Sequence, residues 1–147
     1  MLSLYEFNIY KMKRIFGTLI IVLCGLVSQA QSKVSENIPD KIFEAIELGD
    51  VERLSKYFTE SIELIILDDE GIYSIQQANQ ILKAFFSKNR PESFKVLHQG
   101  GSKNSKYAIG NLKTKDNNYR VHFLVKISDG KLYIHQLRIQ EEGNDEE

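Results

Sequence analysis

The sequence of 147 residues contains very little cysteine, since Cys24 is its only one. A single cysteine cannot form a disulfide within the chain, so the fold must be held together by packing. The sequence also lacks a glycine-rich phosphate loop, a His/Glu metal box and a serine nucleophile elbow. These absences give no support to enzymes that depend on a cysteine nucleophile, a bound phosphate or a catalytic metal.

Neither sign of charge dominates the sequence. It has 19 Lys and Arg against 20 Asp and Glu, and its formal net charge is −1. This balance gives no electrostatic reason to expect a nucleic-acid partner. Acidic residues concentrate at the end of the chain, where residues 142–147 are predicted to form a solvated, flexible tail.

Long apolar runs are limited to one segment near the amino terminus. Lys13 and Arg14 precede the apolar run 15–27, and Ser28-Gln29-Ala30 follows it with small residues at its first and third positions. This order is typical of a secretory signal peptide. The run is shorter than the roughly 20 apolar residues that cross a bilayer, so no stable membrane anchor is expected in the mature form. We therefore expect cleavage after Ala30 and a mature protein, beginning at Gln31, in the periplasm or outside the cell.

Two details refine this prediction. Met12 directly precedes Lys13, so the start of translation is predicted at Met12 and residues 1–11 are an extension. Leu23 stands immediately before Cys24, where a lipid-attachment box needs a small residue. A lipid anchor is therefore not expected, and cleavage would remove the only cysteine.

Helical signals come first in the mature chain. Apolar residues recur at helical spacing over Ile38–Ile46, and Gly49–Asp50 separates this helix from a second, short one. The run 61–67 is mostly apolar and contains three β-branched isoleucines, which predicts a strand. Ser74 and Gln77 have the spacing of a capping box and begin a third helix with a strong apolar face.

Strand signals occupy the second half of the chain. Separators rich in Gly, Asn, Asp and Ser divide it into four extended segments. These are Phe94–Gln99, Lys106–Lys113, Tyr119–Ile127 and Lys131–Gln140. Helices followed by antiparallel strands predict one α+β domain over residues 31–141.

The dipeptide Asp129-Gly130 predicts a tight hairpin that pairs Ser128 with Lys131. Counting outward from this turn predicts which residues share the face beneath the helices. The expected pairs are Ile127 with Leu132, Val125 with Ile134, Phe123 with Gln136, and Val121 with Arg138. A preceding turn at Asn117-Asn118 adds Leu112, Gly110 and Ala108, and the strand before it adds Phe94, Val96 and His98.

This predicted core face has small residues, Gly110 and Ala108, where a filled core would have bulk, which predicts a cavity. His98, Gln136 and Arg138 are expected to point towards it. Buried polar groups need partners, so these three residues are candidates for recognising a polar or anionic ligand.

Two interpretations of Arg138 stay open at this point. In the first, Arg138 lies at the end of the sheet and pairs with Glu63 or Asp68. In the second, it lines the mouth of a ligand pocket whose rim Tyr57 closes with its hydroxyl.

The opposite face of the sheet is predicted to carry an apolar patch that forms a homodimer interface. Its members are Leu124, Tyr133, His135, Leu137 and Ile139. His122 and His135 would make such a contact sensitive to pH. They do not predict a metal site, because no third ligand is evident.

The segments "IFEAIELGDVERLSKYFTESIELII" (42–66) and "GIYSIQQANQILKAFF" (71–86) resemble the nuclear-transport-factor-2-like superfamily, which includes ketosteroid-isomerase-like and polyketide-cyclase-like proteins. The chain looks most like small exported members of unknown function from Gram-negative bacteria. The resemblance implies a conical fold, in which amino-terminal helices pack on a curved antiparallel sheet, with a deep pocket and frequent dimers.

The isomerase-like members of this superfamily use a carboxylate base in the first strand. Here the middle of that strand is apolar, and Glu63 and Asp68 flank it. The sequence therefore predicts an exported, non-catalytic binding or scaffold domain for an unknown small molecule or protein, without a cofactor or metal. The alternative is a small pocket enzyme of isomerase, dehydratase or cyclase type that uses His98 with a carboxylate.

Overall fold

The computed structural model describes residues 37–143. The expected signal peptide, its cleavage site, Cys24 and the tail beyond Gly143 lie outside the described residues. The elements, in chain order, are α1 (Asp40–Glu47), α2 (Val51–Leu54), a 3-10 turn (Ser55–Tyr57), β1 (Phe58–Ile66), β2 (Asp69–Ser74), α3 (Ile75–Lys88), β3 (Pro91–Gly101), β4 (Ser105–Thr114), β5 (Asn118–Ser128) and β6 (Lys131–Glu141).

The helices begin and end where their sequence signals predict. Gly49 adopts a positive φ of 64° after α1, and the Asp50 side chain then accepts a hydrogen bond from the Arg53 backbone N–H at 3.0 Å. The capping box at α3 is confirmed, because Ser74 and Gln77 each bond the other's backbone amide. In the part of the chain that the structure describes, no helix is long and apolar enough to cross a membrane.

Six strands form one curved, unclosed sheet in the order β2-β1-β6-β5-β4-β3. Neighbouring strands are antiparallel except β1 and β6, which are parallel. The Asp129-Gly130 hairpin is confirmed, with Ser128 opposite Lys131. The short strand β2 was not expected, because its sequence is polar and carries no clear alternation. The α+β prediction is confirmed.

The helices cover one face of this sheet, which we call the inner face. α1 contributes Ile42 and Ile46 to the core, and α3 contributes Leu82 and Phe85. The strands contribute a set of fully buried side chains, namely Leu112, Val121, Phe123, Val125, Ile134, Leu137 and Ile139. Burial of these groups supplies the main driving force for folding.

The pairing of β5 with β6 differs from the prediction because β6 contains a β-bulge. Val125 pairs with Ile134 and Leu124 with Gln136, so His135 is an extra, unpaired residue. Beyond a bulge, every side chain of the strand moves to the other face. Leu137 and Ile139 therefore lie in the core at 0% exposure, and Gln136 and Arg138 do not. The predicted pairs Phe123–Gln136 and Val121–Arg138 are wrong.

A second bulge affects β3. Val96 pairs with Gly110 and His98 with Ile109, which leaves Leu97 unpaired and 45% exposed. Phe94 and Val96 pack against the core as predicted, but His98 lies on the opposite face. The placement of His98 on the core face is therefore wrong.

Candidate functional site

The inner face is filled at the place where a cavity was expected. A Cβ added to Gly110 would lie 2.1 Å from the Phe94 ring, and Ala108 is only 1% exposed. The ring of Phe94 lies 6.1 Å from that of Phe43 and 6.3 Å from that of Phe123, measured between centroids. Gly110 is small because an aromatic ring from the neighbouring strand covers it. The cavity floored by Gly110 and Ala108 is therefore absent.

The four predicted ligand-binding residues do not converge. His98, Gln136 and Arg138 lie on the outer face of the sheet, away from the helices. Tyr57 lies in the 3-10 turn and packs half-buried against the core. The structure therefore separates Tyr57 from the other three and moves those three to the opposite side of the sheet.

The outer face carries a row of half-buried and apolar side chains across its middle. Arg138 lies between Ile65 of β1 and His122 of β5, and His122 is paired in turn with Ile109 of β4. In the next row Gln136 is paired with Leu124. We call these six residues, Ile65, Ile109, His122, Leu124, Gln136 and Arg138, the outer patch.

The acidic residues beside the outer patch, Glu63 and Glu142, have hydrogen-bonding partners, but Arg138 at its centre has none among the described residues. Gln136 donates through Nε2 to Glu63, and Arg120 forms an ion pair with Glu142. Among the residues that the structure describes, Arg138 has no ion pair or hydrogen bond, although it is only partly exposed. The expected pairing of Arg138 with Glu63 or Asp68 is not observed. A half-buried guanidinium without a partner marks a position where an anionic group would bind.

Glu142 was expected to begin the flexible tail, and the structure gives it a different place. Its carboxylate bonds both Arg120 and the Asn111 amide, and its backbone N–H donates to the Asn118 carbonyl at 2.9 Å. Glu142 is therefore part of the outer face, and it neutralises the arginine nearest to the patch.

His122 lies next to the unpaired arginine. Partial burial lowers the pKa of His122 below its ordinary 6.5, and the charges of Arg138 and Arg120 lower it further. The imidazole therefore tends to stay neutral in the folded protein. Within the outer patch, Arg138 is thus the one cation, and the other five members are neutral or apolar.

His98 lies on the same face, at the outer edge of the sheet. Its Nε2 is 2.9 Å from the Tyr107 hydroxyl, and both side chains are outside the core. The observed partner of His98 is therefore a phenol, and no carboxylate in the described range bonds it. The arrangement required for the alternative pocket enzyme, His98 with a carboxylate inside a cavity, is not formed.

The predicted interface residues divide between the two faces. Leu124 belongs to the outer patch, Tyr133 lies opposite Lys126 on the outer face, and His135 occupies the bulge. Leu137 and Ile139 are wrong as interface residues, because both are fully buried in the core. In the described range 37–143, no group of three or more His, Cys, Asp or Glu could hold a metal ion.

Sequence reasoning missed Ile65 and Ile109 as members of the outer patch. Ile65 is 5% exposed although it does not belong to the core cluster, because it lies on the outer face of β1. Its signal was present in the run 61–67, where apolar residues occupy both strand faces. A continuous apolar run indicates a strand buried on both sides.

Two solved structures identify the fold class. An NTF2-like protein of unknown function from Shewanella baltica matches with a TM-score of 0.57 at 11% identity, over 71% of this chain and 88% of that one. A domain of unknown function with a cystatin-like fold from Nostoc punctiforme matches with a TM-score of 0.58 at 12% identity, over 72% and 74%. At such identities the likeness shows the fold alone. The NTF2-like class expected from the sequence is confirmed.

The family follows from a more similar structure. A DUF4783 family protein from Bacteroides uniformis is 32% identical, with a TM-score of 0.70, over 74% of this chain and 100% of that one. Residues 39–140 also match the family model described as a domain of unknown function, DUF4783. The chain belongs to the DUF4783 family. No curated protein matched the chain.

Proposed function

We propose that this protein is an exported, non-catalytic domain that binds a protein partner through the outer patch, and that this partner is a second copy of itself. The observation that carries the proposal is the contrast between the two faces of the sheet. The interior is filled by aromatic side chains, whereas an unpaired arginine lies among apolar residues on the outside. Arginine is enriched among the residues that dominate binding energy at protein interfaces, and the buried core of an interface is more apolar than its rim.

The filled interior supports a non-catalytic role. Enzymes built on conical folds need an open site where substrate meets acid and base groups. Here Phe43, Phe94 and Phe123 occupy that space. A binding or scaffold domain needs no such cavity, because its partner contacts the surface.

Charge complementarity supports a second copy as the partner. Arg138 and Glu63 lie on the neighbouring strands β6 and β1. Among the described residues, the Glu63 carboxylate bonds only the neutral side-chain amide of Gln136. A two-fold axis through the outer face would set Arg138 against the partner's Glu63, and the reverse contact would form by symmetry. Ile109 and Leu124 would supply apolar area around these ion pairs.

A charge-reversal series tests this assembly. Light scattering should give a dimer for the mature protein, and monomers for Arg138→Glu and for Glu63→Arg, because each creates like charges across the interface. The double variant should recover the dimer. Lys131→Glu, at the exposed start of β6, is the matched control and should remain dimeric. A monomeric unmodified protein at high concentration, or a dimeric Arg138→Glu protein, would contradict the proposal.

Export rests on the order of Lys13-Arg14, the apolar run and the small residues up to Ala30. Mass spectrometry of the protein from its native host should find Gln31 as the first residue, in a periplasmic or extracellular fraction. An intact amino-terminal segment in the cytosolic fraction would contradict export without affecting the assembly proposal.

A further inference from the structure

A second feature lies on the helix side of the sheet, away from the outer patch. A cleft of about 320 Å³ opens between α3 and the β1–β2 hairpin. Its walls are mostly apolar and include Leu64, Ile66, Tyr73, Ile81 and Phe85. This volume is at the lower end of the range of small-molecule sites, which is about 300–1,000 Å³. The cleft therefore has the size and lining for one small apolar group.

One residue that lines the cleft has an unfavourable backbone conformation. Leu67 has a positive φ of 56° in the two-residue turn between the paired residues Ile66 and Asp69. Such a position is usually occupied by Gly, Asn or Asp, as it is by Asp129 and Gly130 in the other tight hairpin. Leucine places an apolar side chain, 39% exposed, at the cleft instead. Residues held in such conformations cluster at ligand-binding and active sites, so Leu67 is a candidate binding residue.

The polar groups at the cleft end favour one kind of head group. Asn89 is already engaged, since it donates to the Phe85 carbonyl at 3.1 Å and accepts from the Tyr119 hydroxyl at 2.7 Å. Lys88 has no ion pair among the described residues, and its long stem lets the ammonium follow a bound group. Asp69 lines the hairpin side and would repel an anion towards Lys88.

We propose that this cleft binds a small amphiphilic carboxylate, whose alkyl chain packs against Ile66 and Phe85 and whose carboxylate meets Lys88. Leu67 closes over the chain at the mouth. The site is independent of the outer patch, so it requires neither the dimer nor the ion pairs proposed for that face.

Calorimetric titration with straight-chain alkanoates, kept below their micelle concentrations, tests the proposal. Affinity should rise about fourfold for each added methylene, equivalent to about 0.8 kcal/mol, until the cleft is full. Ala84→Phe, on the exposed side of α3 at the cleft, should abolish binding while a thermal melt shows an intact fold. No binding of decanoate by the unmodified protein, or equal binding by Ala84→Phe, would overturn the site.

Two further variants test the head group and the mouth. Lys88→Gln should weaken decanoate about two- to fivefold and leave decanol unchanged, because an exposed charge contributes modestly. Lys41→Gln, on the exposed face of α1, removes a lysine charge away from the cleft and is the control.

Leu67→Asn should weaken the binding of decanoate about tenfold, because the isobutyl group is lost. It should hold or raise the melting temperature, because asparagine tolerates positive φ. Tighter binding of decylamine than decanoate, or a Leu67→Asn protein that melts earlier and binds normally, would overturn these assignments.

Discussion

The two faces of the β5–β6 pair are built from alternating residues of the same strands, yet they differ in almost every property. On the inner face, Phe123 and Leu137 are fully buried and belong to the apolar core cluster. On the outer face, Leu124 and Arg138 are partly exposed, and Arg138 has no partner in the described part of the chain. The inner face is specified by packing, and the outer face by the chemistry that it offers to another molecule.

The largest expected effect separates the faces at adjacent residues. Phe123→Ala should lower the free energy of unfolding by about 3–5 kcal/mol, because the ring is fully buried and its loss leaves a cavity. Leu124→Ala should cost at most about 1 kcal/mol in the monomer, because its side chain is already partly in water. Urea denaturation of both variants measures the difference. Similar losses would mean that the outer face is as tightly packed as the inner one.

A smaller effect tests why the interior has no cavity at Gly110. Gly110→Ala should cost about 1–3 kcal/mol, because the new methyl group would overlap the Phe94 ring. In a Phe94→Ala background the same substitution should cost much less, since the ring is gone. This double-mutant cycle measures the coupling between the two positions directly. Additive losses would show that Phe94 does not fill the space above Gly110.

Much of the fold could be predicted because its signals are local. The capping box of Ser74 and Gln77 and the Asp129-Gly130 turn each fix an element through side chains a few residues apart. The bulges were missed because counting outward from a turn assumes regular pairing. The apolar spacing in β6 did contain the information, since Ile134 and Leu137 are three residues apart where regular alternation would give two.

The candidate site was harder to predict for the same reason. Regular pairing predicts Gln136 and Arg138 on the face under the helices, but the bulge in β6 places Leu137 and Ile139 there instead. The prediction therefore assigned residues of the outer surface to a pocket. The unexpected partner of Glu142 depends on the approach of the chain end to β5, which no local pattern encodes. The residue types indicated an arginine that could bind an anion. The strand register decides whether that arginine lies on the face under the helices or on the outer face.

The smallest expected effect is a pH dependence that belongs to the outer face alone. Arg138 of β6 and Arg120 of β5 are the charged groups that lower the pKa of His122, after burial, and Ile109 of β4 is uncharged. Because the folded pKa lies below the unfolded value, the unfolded chain binds more protons in this range. The contribution of neutral His122 to folding stability is therefore complete above the pKa of the unfolded chain. It is lost as the pH falls through the pKa of the folded protein.

Urea denaturation at about pH 7.5 and about pH 5.5, which bracket the ordinary histidine pKa, measures this effect. Every protein is measured at the same low concentration, which keeps assembly out of the comparison without adding a charge near His122. His122→Gln, which cannot take up a proton, should reduce the loss of stability between the two pH values. His135→Gln, at the bulge, is the matched control and should leave that loss unchanged. If both variants respond to pH like the parent, the proton is taken up elsewhere, and neighbouring charges at the outer patch do not act on His122 as inferred.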